Sequence, residues 1–383
     1  MHTCERIARV VSFLGVHPMK LRLASYNLNN LFRRPKLLQL PGFSATARPV
    51  LKDVDTLSDL LAQDSYAGAT GAKIIALLTK YGFASGKGNP WFDVNQAKSK
   101  LFSASKGKLT LKAASRSDWL GWVELKAEEV NDEATRNTGR VIAAVQPDVL
   151  AVVEAESRPA LVRFNDQVLK PQQAAFPHTL LVDGNDPRGI DVGVYSRHPI
   201  RSVRSHVDDT YIGKDNKPYR VFSRDCPEYE IGLPGGKTLW LLVNHFKSQG
   251  YGSPAGNDAK RLKQAERVRA ILARFDLTKD LIAVAGDFNA KPGHASIAPL
   301  LATPHLRDVC DAPVFAGQPR WTYHSGKQQL DYLLVSAPLF AAIKAVGIER
   351  RGMVAKGVTP FPEVTMDANA ASDHAAVWAE MDI

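Results

Sequence analysis

Long apolar runs are missing from this chain. None approaches the ~20 residues that a membrane span needs. The nearest, residues 7–16, is broken by Arg9 and lacks a small-residue cleavage site, so neither a span nor a signal peptide is expected. A cytoplasmic location is the expectation, with secretion left open. Cysteine is scarce: Cys4, Cys226 and Cys310 are too few and too widely spaced for a zinc knuckle or a disulfide framework, so inert thiols in a reducing compartment are expected. Acid is in deficit, 39 Asp and Glu against 49 Lys and Arg, for a formal charge of +10. That excess favours a polyanionic partner, nucleic acid or a phosphorylated small molecule, over an acidic one. Internal repeats and low-complexity segments are absent, which excludes solenoids and disordered arrays.

Three catalytic signatures are lacking too. Between Gly82 and Gly86 lie three residues where a P-loop has four, and Gly88 stands where Ser or Thr would reach magnesium. Neither a Gly-x-Ser-x-Gly elbow nor a His-Glu-x-x-His helix occurs, which speaks against acyl transfer and zinc proteolysis.

What is present is ordinary globular composition, 45% apolar and 23% charged, over 383 residues, enough for one large domain with an insertion. Residues 21–27 alternate as a strand and end in the polar cluster Asn27, Asn29, Asn30. Helical spacing follows in Leu57, Leu60, Leu61 and in Ile74, Ile75, Leu78, Tyr81. The stretch 86–116 is loosely patterned, with Lys87, Lys98, Lys100, Lys106, Lys108, Lys112 and Arg116 against Asp93 alone, and with Trp91, Phe92 and Phe102 among them. Residues 128–145 read as a helix that Pro147 stops before the apolar strand 149–153. Further strands are expected at 191–195, 239–244, 281–285, 330–335 and 375–379, with a helix around Leu262, Ala265, Ile271 and Leu272. Interleaved strands and helices of this kind indicate an α/β or α+β protein.

Polar residues interrupt the apolar strands at their ends: Glu154, Asp191, His245, Asp287 with Asn289, Asp331, and Asp373 with His374. Any one is more often a turn residue than a catalyst, but loops at strand ends are where a rigid scaffold assembles sites. Glu154 and Asp373, helped by the Asn27 carboxamide, are hard oxygen ligands suited to Mg2+ or Mn2+. Two histidines with surplus carboxylates allow two Asp–His pairs, one to take a proton from water and one to serve the leaving oxygen. Arg188 and Arg224 offer forks for phosphate oxygens. The inventory describes metal-assisted phosphoester hydrolysis.

The ordered motifs resemble the endonuclease/exonuclease/phosphatase superfamily of metal-dependent phosphodiesterases, bacterial nucleases among them. They are Ala24-Ser-Tyr-Asn27, Asp148-Val-Leu-Ala-Val-Val-Glu154, Arg188-Gly-Ile-Asp191, Ser223-Arg224-Asp225, Asn244-His245-Phe-Lys247-Ser248, Gly286-Asp287-Phe-Asn289, Leu330-Asp331-Tyr332 and Ser372-Asp373-His374. Each is weak alone; eight in one order are specific. The resemblance implies a four-layer αββα sandwich, two mixed sheets flanked by helices, with one site at the open end of the sheets. It implies Glu154 as main metal ligand with Asn27 and Asp373 beside it, and Asp331–His374 as the dyad that orients and deprotonates water. Asp287 and Asn289 would hold that water and the phosphate, His245 paired with Asp191 would serve the other oxygens, and Arg188, Arg224 and Lys247 would bind phosphate. Whether Asp287 or His374 is the base stays open.

The chain also departs from the pattern. Ala290 stands where many relatives carry another acid, so one Mg2+ or Mn2+ site is expected and a second is doubtful. Glu154 follows Asn27 much later than usual, which places a large, mostly helical insertion at 33–125 in a single domain at 21–383, behind an extension at 1–20 expected to be poorly ordered. The insertion is expected to start and finish near the active-site face, as a lid or substrate-recognition element or as a packing elaboration. Nucleic acid is the expected substrate and partner, with Lys98, Lys100, Lys106 and Lys108 as contacts. A small-molecule phosphodiesterase or phosphotriesterase is the alternative, and a catalytically silent nucleic-acid-binding protein the least favoured. No membrane and no obligate protein partner is expected.

Overall fold

Residues 149–155 read Val-Leu-Ala-Val-Val-Glu-Ala without alternation, and a strand of that kind has to be covered on both faces. A computed structural model, which describes residues 19–31, 47–86, 89–126, 132–186, 188–213, 215–250 and 253–383, places it inside a six-stranded sheet. The chain divides into two compact units, residues up to Asn29 with Asp132–Ile383, and Asn30–Asn131. Of the expected N-terminal extension only Met19 and Lys20 are among the described residues; 1–18 lie outside them, as do 32–46, 87, 88 and 127–131 in and around the expected insertion.

Twelve strands build the two large sheets of the first unit: β1 (Lys20–Leu31), β2 (Val149–Ala155), β3 (His178–Leu181), β4 (Asp191–Ser196), β5 (Ile200–Arg204), β6 (Glu228–Gly232), β7 (Thr238–His245), β8 (Leu281–Asp287), β9 (Leu306–Asp308), β10 (Asp331–Ser336), β11 (Ile343–Glu349) and β12 (Ala376–Asp382). One sheet runs β11-β12-β1-β2-β4-β3, the other β9-β10-β8-β7-β6-β5. Period-two alternation sorts their side chains. Leu239, Leu241 and Val243 of β7 and Ala283 and Ala285 of β8 meet Leu21, Leu23, Val149, Ala151 and Val153 of the first sheet in one inner core. The alternate residues Leu242, Ile282, Val284 and Leu334 face outwards against Ala265, Val268, Ile271 and Leu272.

Those last four belong to a long helix, and the flanking helices are locally specified. Helix α1 (Asp132–Val145) contacts β11 and β12; it gives way to Gln146 at φ 49°, one residue before Pro147. Helix α2 (Pro254–Leu272) starts with proline at its first position, behind Ser253, whose Oγ accepts the Gly256 N–H at 3.2 Å. Helix, sheet, sheet and helix make the expected four layers.

Register then places the functional residues. β7 and β8 are parallel and pair His245 with Asp287; β8 and β10 are antiparallel and pair Asp287 with Asp331. Three strand-end side chains thus stand side by side. Gly286 makes this possible: its φ is 135°, and a Cβ there would lie 1.8 Å from the Asn244 carbonyl oxygen.

The second unit has its own core of Val50, Leu57, Leu61, Tyr66, Ile74, Leu78, Phe92, Leu101, Leu109 and Trp119. Helices Ala47–Leu61 and Ala69–Lys80 fill its first half. The second half, loosely patterned in sequence, forms two antiparallel ladders, Phe92–Lys98 with Leu120–Leu125 and Phe102–Ser105 with Lys108–Leu111. Strand content was not legible there because two of the four strands are only four residues long, too short to show an alternation.

Candidate active site

Glu154 is held by a distortion of its strand. It has φ 62°, and the β2–β4 register shifts between Val153 and Ala155, so the glutamate sits at a bulge that re-aims its side chain. Asn27, fully buried near the end of β1, donates from Nδ2 to Glu154 Oε1 (3.2 Å) and Asp287 Oδ2 (3.3 Å), while its Oδ1 accepts the Asn29 N–H (3.0 Å). Asn27 therefore bridges two carboxylates through its amide nitrogen, where an oxygen ligand was expected. Asp287 accepts Asn289 N–H at 2.8 Å and Asn289 Nδ2–H at 3.0 Å. Asn289 takes φ 52° to do so and also donates to the Phe246 carbonyl.

Asp331 and His374 form the expected dyad, with His374 Nδ1 2.7 Å from Asp331 Oδ2. The other imidazole nitrogen lies 3.9 Å from Asp287 Oδ2. Ser372 fixes this loop by donating from Oγ to the Asn27 carbonyl (2.8 Å) and accepting the His374 N–H (3.0 Å). His245 Nε2 lies 3.8 Å from Glu154 Oε1 and 3.7 Å from Asp287 Oδ2.

The two histidines are tuned in opposite directions. Burial and the charges of Arg224, His374 and Arg188 hold His245 well below its ordinary value, so it is a neutral ring. Burial pulls His374 down as well, but its ion pair with Asp331 and the charges of Asp287 and Asp373 outweigh that and raise it. Burial pushes Asp287 up to about 7, with Asp331 and Glu154 adding and His374 opposing. The Glu154 carboxyl is raised by burial and by the charge of Asp373, against the pull of His374.

One expected pair is not formed. Asp191 makes no hydrogen bond to His245; its Oδ1 accepts the Gly184 N–H at 3.0 Å, and the buried Nδ1 of His245 has no hydrogen-bond partner. The reason is local: the carboxylate is engaged by the turn before its own strand, where burial and neighbouring Asp183 and Asp186 push it up to about 7.

On the phosphate side a residue appears that the sequence did not single out. Asp186 receives Arg188 through Nε (3.0 Å) and Nη2 (2.7 Å) and lies 3.1 Å from Arg224 Nε, so one carboxylate holds both expected clamps. Burial opposes its charge, but Arg188 and Arg224 keep it below the usual carboxylate range. The backbone of Lys247 is pinned by α2, its N–H on Gln264 Oε1 (2.8 Å) and its carbonyl on Arg261 (2.7 Å). Thr322 and Tyr323 were also missed. Thr322 Oγ1 accepts the N–H groups of Leu330 and Asp331, and the Tyr323 ring lies 4.9 Å from that of His374. A Thr-Tyr dipeptide in a loop carries no signal for either role. Lys98, Lys100, Lys106 and Lys108 lie in the second unit.

The donors suit a hard dication. Asp287, Asp331 and His374 each bring a ligand atom within 4.8 Å of the others, Glu154 and Asp373 add carboxylates, and Asp331 Oδ1 is buried without a hydrogen-bond partner. Several acids sharing a buried space raise one another, and a bound cation reverses that. Among the described residues, Asp287, Asp331 and His374 are grouped closely enough to hold a divalent cation.

Among the described residues no helix is long and apolar enough to cross a membrane, and Cys226 and Cys310 are buried free thiols. Among curated proteins no sequence match was found. A solved endonuclease/exonuclease/phosphatase family protein from Bacteroides thetaiotaomicron is similar in fold, with a TM-score of 0.50 and 13% identity over 95% of this chain and 98% of that one. Truncated TDP2 from Caenorhabditis elegans matches with a TM-score of 0.43 at 19% identity, over 66% of this chain and 92% of its own. The catalytic domain of human nocturnin, solved with bound sulfate, matches with a TM-score of 0.45 at 16% identity, over 67% and 87%. The sequence model of the endonuclease/exonuclease/phosphatase family spans residues 130–374, from α1 to the His374 dyad, and the chain accordingly belongs to that family of phosphoester hydrolases, whose members typically depend on a divalent metal.

Proposed function

We propose that this enzyme is a nuclease that cleaves phosphodiester bonds in DNA or RNA by attack of water on phosphorus. The observation that carries the reading is convergence: Asn27, Glu154, His245, Asp287, Asn289, Asp331 and His374 come from the ends of both sheets and meet around Asp287. Asp331 orients His374, and the proton leaving the water passes into the buried Asp287–His374–Asp331 group. Asn289 and Asp287 position the water and phosphate. The neutral His245 ring donates a hydrogen bond to a phosphoryl oxygen as charge develops there. Arg188 and Arg224, set by Asp186, and Lys247 draw the phosphate in. Bound at Glu154, Mg2+ or Mn2+ would supply Lewis-acid stabilisation of the phosphoryl oxygens. The formal charge of +10 supports a polyanionic substrate.

The test is degradation of plasmid, single-stranded DNA and RNA with Mg2+ or Mn2+, and its arrest by EDTA. Glu154→Gln and His374→Ala are each expected to lower the rate by about 10²-fold or more; activity surviving either change removes the site assignment. Cleavage of bis-p-nitrophenyl phosphate or paraoxon with nucleic acid left intact would favour a small-ester hydrolase.

A further inference from the structure

The second unit presents a surface that its own core does not use. Along Leu120–Leu125, Gly121 turns inwards and Val123 packs on the core, while Leu120 and Trp122 are 54% and 53% exposed on the opposite face. Trp119, nearby on the same chain, is 4% exposed and donates from Nε1 to the Tyr66 hydroxyl at 2.9 Å. The fold buries the indole it needs and leaves the second one in water, where its apolar area contributes nothing to stability. Two large apolar side chains at i and i+2 make a contiguous patch.

Charge says what the patch suits. Pairing sets Lys98 opposite Leu120 and Asn95 opposite Trp122. The Leu101 N–H bonds Gln96 Oε1 (2.7 Å) and the Lys112 N–H bonds the Leu101 carbonyl (2.7 Å), which gathers Lys98, Lys100 and Lys112 at one end of the hairpin Phe102–Ser105/Lys108–Leu111. These lysines are exposed and form no ion pair among the described residues; of the acids of the ladder, Asp93 is paired with Lys126, while Glu124 keeps its charge and accepts from Asn95. Unneutralised lysines bordering an open indole match the chemistry of an unpaired nucleotide strand: phosphates at regular intervals and bases with free π-faces. In a duplex the bases already stack on one another, so lysines would serve it and the indole would not.

We propose that this face of the second unit binds single-stranded nucleic acid, one base stacking on Trp122 beside Leu120 while Lys98 and Lys100 hold the flanking phosphates. The proposal rests on the nuclease reading for its substrate class and is measured apart from hydrolysis. Fluorescence anisotropy of a labelled oligothymidylate of about 20 nucleotides, with the full chain in EDTA, gives the affinity. Trp122→Ala is expected to weaken it about tenfold at unchanged Tm, and Trp122→Phe to keep most of it. Lys98→Gln with Lys100→Gln is expected to flatten the slope of log affinity on log salt by about 1.4, roughly 0.7 per phosphate. Duplex of equal length and inorganic polyphosphate should respond to the lysine changes and not to Trp122→Ala. Wild-type oligothymidylate affinity in Trp122→Ala overturns the proposal. So does an equal loss for polyphosphate, or a change of oligomeric state by light scattering with oligonucleotide binding untouched, which would make the face a contact between copies of the chain. Selective weakening without any hydrolysis in Mn2+ would leave this surface standing and remove the nuclease reading.

Discussion

Glu154 carries a conformational and electrostatic cost that a cation bound there would offset. Its backbone sits at φ 62°, a region that costs a non-glycine residue of order 1 kcal/mol, and its carboxyl is raised by burial and by Asp373. Without metal, Glu154→Gln removes the buried charge and keeps the backbone, so the variant should melt at or above the wild-type temperature. With Mn2+ at about 100 times its Kd, wild type should gain roughly 2.7 kcal/mol, a rise of about 5 °C or more, and the variant little. Equal shifts in the two proteins, followed by calorimetry, would place the cation elsewhere. At this scale the sequence was informative where a polar side chain ends an apolar strand, as at Glu154, His245 and Asp287. It was silent on Asp186, Thr322 and the Asp191–Gly184 contact, because these act through loop backbone that leaves no periodicity.

Elements were legible in proportion to their burial. The central strands β2, β7, β8 and β10 are mostly apolar between their polar ends and were expected almost to the residue, whereas the edge strand β5, Ile-Arg-Ser-Val-Arg, is exposed along most of its length and shows no pattern. What fixes that edge is polar. His206, 4% exposed, lies between Asp209 (2.8 Å at Nδ1) and Glu228 of β6 (2.5 Å at Nε2); helix α2 reaches over with Arg267 to Asp209, and Arg274, in the turn after its end, bonds Glu228. The carbonyl of Asp209 accepts the Val221 N–H, closing the base of the hairpin Thr210–Ile212/Pro218–Arg220 that leads to Arg224. Burial works against the Glu228 charge, but His206 and Arg274 together hold its carboxyl below the ordinary glutamate value. A depressed carboxylate stabilises the fold above its unfolded pKa, and the contribution is lost as pH falls through the folded one. Glu228→Gln should therefore cost about 3 kcal/mol at neutral pH and flatten the stability curve below about pH 4.5. Urea midpoints across that range check both, and parallel acid limbs in the two proteins would remove Glu228 from the account.

The whole molecule separates into two cores, and that separation makes the role of the smaller one testable. The inner core between the large sheets and the outer core under α2 draw on residues up to Leu23 and beyond 148, and the core around Leu57, Ile74 and Trp119 draws on 50–125 alone. The interruption of the family pattern between Asn27 and Glu154 was legible in the spacing of the motifs; its content was not, since half of it is short lysine-bearing hairpin. Replacing Asn30–Asn131 with a flexible Gly/Ser linker removes no residue of the large sheets beyond the last two positions of β1 and none of the strand-end residues of the site. The shortened chain should fold with a cooperative transition and hydrolyse bis-p-nitrophenyl phosphate within a few-fold of the full chain. A small diester needs only the strand-end residues. On single-stranded DNA the same chain should show a raised KM and a weaker salt dependence, because the lysines of the removed unit no longer release counterions. A drop in small-diester turnover equal to the drop on DNA would instead make the inserted unit a structural support of the sandwich, and the recognition role would fall with it.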